Sequence, residues 1–160
     1  MTITIAILTI SDRCASGERE DASGAAIAAW ASERGHTIAA RDVVCDDVDR
    51  IVARLLEWCD DAVPKIVLTT GGTGFGPRDV TPEATRVVIE REAPGLAEVL
   101  RADGLRHTPR AVLSRGIAGT RANALIVNLP GSTAGVRDGL ATLDPLVEHI
   151  AALLAGHTEH

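Results

Sequence analysis

The chain has 160 residues, 46% of them apolar and 24% charged, with a net charge of -6, which suits one soluble domain with a sizeable core. The negative balance and the three aromatics, Trp30, Trp58 and Phe75, argue against a broad nucleic-acid surface or a base-stacking platform, though a local basic pocket remains open. Cys14, Cys45 and Cys59 stand far apart, no apolar run reaches about 18 residues and no basic leader opens the chain, so a cytoplasmic protein with no disulfide framework, zinc site, membrane span or signal peptide is expected.

Thr2 to Ile10 sets Ile3, Ile5 and Ile7 among small or apolar partners and reads as a buried strand. Ser11 to Gly24 is polar and loop-like, and Ala25 to Arg34 reads as a helix ended by Gly35. Thr37 to Val44 is a second strand. Asp47 to Asp61 carries Val48, Ile51, Val52, Leu55 and Trp58 at helical spacing. Lys65 to Thr69 is a short third strand. Thr81 is expected to cap a helix with Pro82 in its first turn. Pro94 opens another, with Leu96, Val99 and Leu100 on one face. Ile117 to Thr120 and Ala124 to Asn128 read as strands, and Ser132 to Leu140 and Leu143 to Leu154 as helices. Residues 1–155 form the expected domain, and Gly156 to His160 a frayed tail.

Strands alternating with helices imply an α/β layer fold with a largely parallel sheet. Ligands collect at the carboxyl ends of such strands. Ser11-Asp12-Arg13, Cys45-Asp46-Asp47, Gly71 to Asp79 and Pro130-Gly131-Ser132 fall there. The third of these spends four glycines in six residues, Gly71 to Gly76. Glycine lets backbone N–H groups approach an anion closely, and a helix start adds partial positive charge. Two familiar loops do not match. After Gly71 and Gly76 come Pro77-Arg78 where a nucleoside-triphosphatase loop needs Lys and Ser or Thr, and no dinucleotide fingerprint follows the first strand.

Asp79 beside phosphate-binding amides would repel the phosphate unless a cation lay between them, and magnesium is the usual solution. Asp46 is a candidate second carboxylate. The plainer alternatives are a helix-start charge or an ion pair with Arg78 for Asp79, and a helix cap for Asp46. For Asn128 to Ser132 the plainer alternative is a turn with Ser132 as cap, and for Ser114-Arg115 and Ser11-Asp12-Arg13 it is solvated or capping residues. His36, His107, His149, His157 and His160 form no recognisable metal set.

Together these pieces resemble the MogA/MoaB-type molybdenum-cofactor biosynthesis family, which includes the G domain of gephyrin. The resemblance runs in order from Ile3 to about Leu154. Its blocks are Ser11-Asp12-Arg13, Asp46-Asp47, Thr69 to Gly74, Arg78 to Ala84, Ser114-Arg115 and Asn128 to Ser132. It implies a three-layer α/β/α fold with a mostly parallel sheet, and a homotrimer. It implies ATP-dependent adenylylation of molybdopterin with magnesium, pyrophosphate release, and hand-off to a molybdenum-inserting enzyme. The family's two acidic positions fall on Asp46 and Asp79, as catalytic and magnesium-holding residues. Its nucleotide and pterin contacts fall on Ser11, Asp12, Gly71, Gly72, Thr73, Gly74, Arg78, Thr81, Ser114, Arg115, Asn128, Pro130, Gly131 and Ser132. A non-catalytic molybdopterin carrier of the MoaB kind is the alternative. The scarcity of aromatics leaves no obvious ring to stack on pterin or adenine.

Overall fold

Three apolar strands run through the middle of the molecule: β1 (Thr4–Ile10), β3 (Ile66–Thr70) and β6 (Ala124–Leu129). Apart from Thr4 at the rim, every residue of the three is buried. Their Ile, Val, Leu, Ala and Thr side chains suit strands covered on both faces. The computed structural model describes residues 1–157; the end of the expected frayed tail, residues 158–160 with His160, lies outside the described residues.

Around these three stand β2 (Thr37–Val44), β4 (Arg91–Glu92) and β5 (Ala118–Arg121). Among the described residues they make one sheet in the order β2-β1-β3-β6-β5-β4. β2, β1, β3 and β6 are parallel neighbours, while β5 runs antiparallel to β6 and β4.

The helices divide between the two faces of the sheet. Ile3, Ile5 and Ile7 point to one face, under α2 (Ala22–Glu33), α5 (Pro94–Gly104), α6 (Thr133–Leu143) and α7 (Val147–Leu154). Ala6, Leu8 and Ile10 point to the other, under α3 (Val48–Asp60) and α4 (Thr81–Val88). The fold is therefore a three-layer α/β/α sandwich with a mostly parallel sheet, as expected.

Several boundaries differ from the sequence reading for local reasons. The loop after β1 holds a one-turn helix, α1 (Asp12–Ala15), capped by Ser11. α2 starts at Ala22 rather than Ala25, because the Asp21 carboxylate accepts the Gly24 N–H at 2.9 Å. Thr81 is not the cap of α4. Val80 holds that place and Thr81 is the first helical residue, its hydroxyl donating to the Gly71 carbonyl at 2.8 Å. Val99 stays at the surface while Leu96 and Leu100 turn to the core.

β1 leads to β2 on one side, and β3 lies on the other side of β1. The chain thus leaves the carboxyl ends of β1 and β3 in opposite directions, which opens a crevice there. Two backbone bonds knit its rim: Ser11 N–H to the Val44 carbonyl at 2.9 Å and Gly71 N–H to the Leu129 carbonyl at 3.2 Å.

Candidate active site

Gly71 and Gly72 leave β3 with φ of +98° and +68°. A Cβ on Gly71 would lie 2.3 Å from the Ile10 carbonyl oxygen, and one on Gly72 would lie 2.3 Å from Thr81 Oγ1. Both are glycine because the loop's own packing demands it. Gly131 comes so close to Gly71 that a Cβ there would sit 3.3 Å from the Gly71 Cα. The β6–α6 turn is thereby held against the glycine loop.

Gly74 and Gly76 do something different. The nearest atom to a Cβ on either is Asp79 Oδ2, at 2.8 and 2.9 Å, and the Gly76 N–H donates to that oxygen at 2.8 Å. This part of the loop wraps the Asp79 carboxylate. The N–H groups of Gly72, Thr73, Gly74 and Phe75 donate to no protein acceptor among the described residues. Neighbouring free amides of this kind suit a phosphate.

On the β1–β2 side, Asp12 and Asp46 exchange hydrogen bonds. The Asp12 N–H donates to Asp46 Oδ2 at 2.9 Å and the Asp46 N–H donates to Asp12 Oδ1 at 3.0 Å. Arg78 forks onto Asp12 through Nε and Nη2 at 3.0 and 2.9 Å. That guanidinium, helped by the Asp46 amide, holds the Asp12 carboxyl below its ordinary value. Asp46 moves the other way. Burial pushes it above the ordinary value despite the Asp12 amide, and the charges of Asp12 and Asp79 add to the push.

The Asp46 Oδ1 atom lies 3.1 Å from where a Gly72 Cβ would stand. Asp46 therefore abuts one end of the free-amide run and Asp79 the other. Among the described residues, no three His, Cys, Asp or Glu side chains gather closely enough to hold a metal by themselves. Asp46 Oδ1 and Asp79 Oδ1 accept no hydrogen bond there. Two available carboxylate oxygens, one on a residue that resists its own charge, fit magnesium, which takes one or two carboxylates and completes its shell with phosphate and water.

Beside this edge opens a cavity of about 640 Å³, a size that suits a nucleotide-like ligand. Gly72, Thr73, Gly74, Asp79, Ser114, Asn128, Pro130, Gly131 and Ser132 line it. Ser11, Asp12, Asp46, Gly71, Arg78, Thr81 and Arg115 are not among its lining residues. The serines keep hydroxyl protons to donate: Ser132 Oγ accepts the Gly135 N–H at 3.1 Å and Ser114 Oγ the Gly116 N–H at 3.3 Å.

Three of the residues expected as contacts, Arg115, Asn128 and Thr81, have their side chains bonded within the protein. Arg115 donates through its N–H to the Thr73 carbonyl at 2.8 Å, through Nε to Gly74 at 2.7 Å and through Nη2 to Asp79 at 2.7 Å, and pairs with Glu83. Its donors are engaged by the protein, so it staples the loop instead of offering a free cation. Asn128 is buried; its amide donates to Thr69 and Thr85 hydroxyls at 2.9 and 3.0 Å and its oxygen accepts the Ile117 N–H at 3.2 Å. Thr81 is likewise buried and committed to Gly71.

The opposite wall escaped the sequence reading. It is built from α5, the 3₁₀ turn Pro109–Leu113 and α6, with Leu100, Arg101, His107, Arg110 and Leu113 on the cavity. Only the Thr108-Pro109 turn signal marks that segment, and turn signals say nothing of a ligand.

A family model described as a probable molybdopterin binding domain matches residues 6–149. The chain belongs to the MogA/MoaB-type molybdenum-cofactor biosynthesis family. It is 39% identical to the molybdopterin adenylyltransferase of Helicobacter pylori strain J99, over 98% of this chain and 90% of that protein. It is 40% identical to the molybdenum cofactor synthesis protein cinnamon of Drosophila melanogaster over 96% of this chain, but spans only 26% of that protein's length. Among solved structures, the molybdopterin biosynthesis enzyme MoaB of Thermus thermophilus superposes with a TM-score of 0.91 at 44% identity, covering 97% of this chain and 98% of that one. The molybdopterin biosynthesis Mog protein of Mycobacterium ulcerans gives 0.90 at 40% identity, covering 98% and 99%.

Proposed function

We propose that residues 1–155 of this family member form a molybdopterin adenylyltransferase unit. It joins the phosphate of molybdopterin to the adenylyl group of ATP and releases pyrophosphate. The observation that carries the mechanism is the meeting of Asp46 and Asp79 at the two ends of the free-amide run, beside a cavity of ligand size.

The nucleophile is a phosphate oxygen, already anionic at neutral pH. A new P–O bond forms at the α-phosphorus of ATP as the α–β bridging bond breaks, and the electron pair leaves with pyrophosphate. No general base is needed. The chain's task is to hold two anions together and stabilise charge on the leaving group. The amides of Gly72 to Phe75 and the start of α6, capped by Ser132, supply fixed partial positive charge. Asp46 and Asp79 would hold and position the cation, with Asp12 and Arg78 bracing Asp46. Magnesium, when bound, would neutralise phosphate oxygens and orient the polyphosphate. Gly71, Thr81, Asn128 and Arg115 keep the walls in place, while Thr73, Ser114, Pro130, Gly131 and Ser132 meet the substrates.

Adenylyl-molybdopterin then passes to a molybdenum-inserting enzyme. A homotrimer working in the cytoplasm completes the reading, and light scattering tests the oligomer. No described helix is long and apolar enough to cross a membrane.

The decisive experiment measures pyrophosphate from ATP and magnesium with and without purified molybdopterin. Release only when molybdopterin is present is expected; a carrier of the MoaB kind would release none. Asp79→Asn should keep the fold and bind molybdopterin yet lose most turnover. Equal turnover in the two proteins would remove Asp79 from the mechanism.

A further inference from the structure

Two of the three Trp and Phe rings lie outside the cavity lining and are committed elsewhere. The Trp30 ring meets His36 edge-on at 5.5 Å and its Nε1 donates to Asp144 at 3.0 Å. Trp58 is buried in α3, with the Arg54 guanidinium 5.9 Å over its ring. Phe75 is the exception. It lines the cavity, is 72% exposed, and belongs to neither hydrophobic core.

An exposed phenyl ring on an ordinary loop would mean little. This loop is held. Ahead of Phe75, the Thr73 and Gly74 carbonyls accept from Arg115 at 2.8 and 2.7 Å. Beyond it, the Gly76 N–H is bound to Asp79 Oδ2 at 2.8 Å and the Asp79 carbonyl again to Arg115 at 2.7 Å. The backbone on both sides of the ring is therefore fixed by Arg115, through its main-chain N–H and its guanidinium, and by the Asp79 carboxylate. The same Arg115 follows the 3₁₀ turn that carries Leu113, a 48% exposed side chain lining the same cavity. Phe75 also directly follows the unpartnered amides of Gly72, Thr73 and Gly74.

We propose that Phe75 is the ring platform of the cavity, on which the planar heteroaromatic ring of a phosphorylated substrate stacks while its phosphate meets the neighbouring amides. This deepens the adenylyltransferase reading and rests on it. The physical reasoning is direct. A flat, electron-rich ring held on a pre-formed loop offers stacking area at little ordering cost. Both substrates of that reaction, a purine nucleotide and a pterin, carry such a ring beside a phosphate. The stacking is uniform binding, present before and during the reaction, so it belongs in KM and not in kcat.

The test compares wild type, Phe75→Leu and Phe75→Trp. Leucine keeps apolar area and loses the ring; tryptophan keeps a ring. Circular dichroism and light scattering establish that fold and oligomeric state are unchanged. Titration with ATP alone and with molybdopterin alone then identifies which ring stacks. The expected result is a KM and dissociation constant for one substrate raised about tenfold to a hundredfold in Phe75→Leu. The other substrate's constants and kcat should stay near wild type, with affinity restored in Phe75→Trp. Unchanged constants for both substrates in Phe75→Leu would overturn the proposal. So would equal losses in the leucine and tryptophan variants, or a change confined to oligomeric state, which would make the ring a contact between copies. Wild type that binds both ligands but releases no pyrophosphate would instead defeat the adenylyltransferase reading.

Discussion

Asp46 carries a charge that its surroundings resist. Burial and the neighbouring charges of Asp12 and Asp79 raise its carboxyl above the ordinary 3.8. For a raised group, the stabilising contribution is fully present below the ordinary value and is lost as pH rises through the raised one. At neutral pH and without a cation, the ionised Asp46 thus works against folding. Asp46→Asn keeps an oxygen to accept the Asp12 N–H and removes the charge. Its melting temperature at pH 7 should match or exceed wild type, the difference closing as pH falls towards 4, while turnover is lost. A lower melting temperature at pH 7 would contradict this account. The glycines divide on similarly local grounds. Gly71→Ala combines left-handed backbone with a 2.3 Å approach to a backbone oxygen, and should cost about 2 kcal/mol or more. Gly74→Ala meets only the far end of Asp79, at 2.8 Å, with no left-handed φ. It should cost less than about 1 kcal/mol yet lower kcat by moving that carboxylate. Urea melts beside turnover measurements separate the two. The sequence marks these glycines as a group but cannot separate those the loop's own packing requires from those left beside Asp79, because that depends on what each Cβ would strike.

The cavity is an agreement among elements, and Arg115 is where the agreement is enforced. It joins the loop between β3 and α4, the start of α4 through Glu83, and the segment before β5. Removing its side chain frees the Gly74 and Asp79 carbonyls and the Glu83 carboxylate, while the main-chain bond to Thr73 stays. Arg115→Ala should lower stability by about 1–3 kcal/mol and raise KM for both substrates, since both walls loosen. Arg115→Lys should rescue little, because one ammonium cannot reproduce the fork. Steady-state kinetics with each substrate varied in turn check both statements. At this scale the sequence was legible where apolar residues recur regularly, and less so at the start of α2 and at the break between α6 and α7, which falls after Leu143 and not after Leu140. α3, β1 and β2 fall within two residues of their expected limits. α1, the two-residue β4 and the 3₁₀ turn were not legible. Each is too short for periodicity and exists because its neighbours supply caps and ladder partners.

Across the whole molecule, the sheet sets the distances between loops that are far apart in sequence. Leu68 lies at the centre of β3, fully buried, between β1 and β6. Leu68→Ala removes packing where both neighbouring strands depend on it and should cost about 2–5 kcal/mol. The urea midpoint should fall with little change in slope, since the surface exposed on unfolding is nearly the same. A change in slope would mean that the site loops and the core do not unfold together.

The sequence by itself determined the layers. Apolar strands alternating with amphipathic helices can bury both patterns at once only as a sheet between helices, and the glycines, prolines and capping residues mark where the chain turns. Tertiary structure alone decided that β1 and β3 lie side by side with β6 next, which brings Asp12, Asp46, Asp79 and the Asn128–Ser132 turn to one edge. It also decided that Arg115 faces inward as a staple and that Phe75 is left bare on the cavity wall. The reason is the range of the interactions. Periodicity is a property of neighbouring residues, whereas a carboxylate's proton affinity, a guanidinium's partners and a ring's exposure are set by groups tens of residues away.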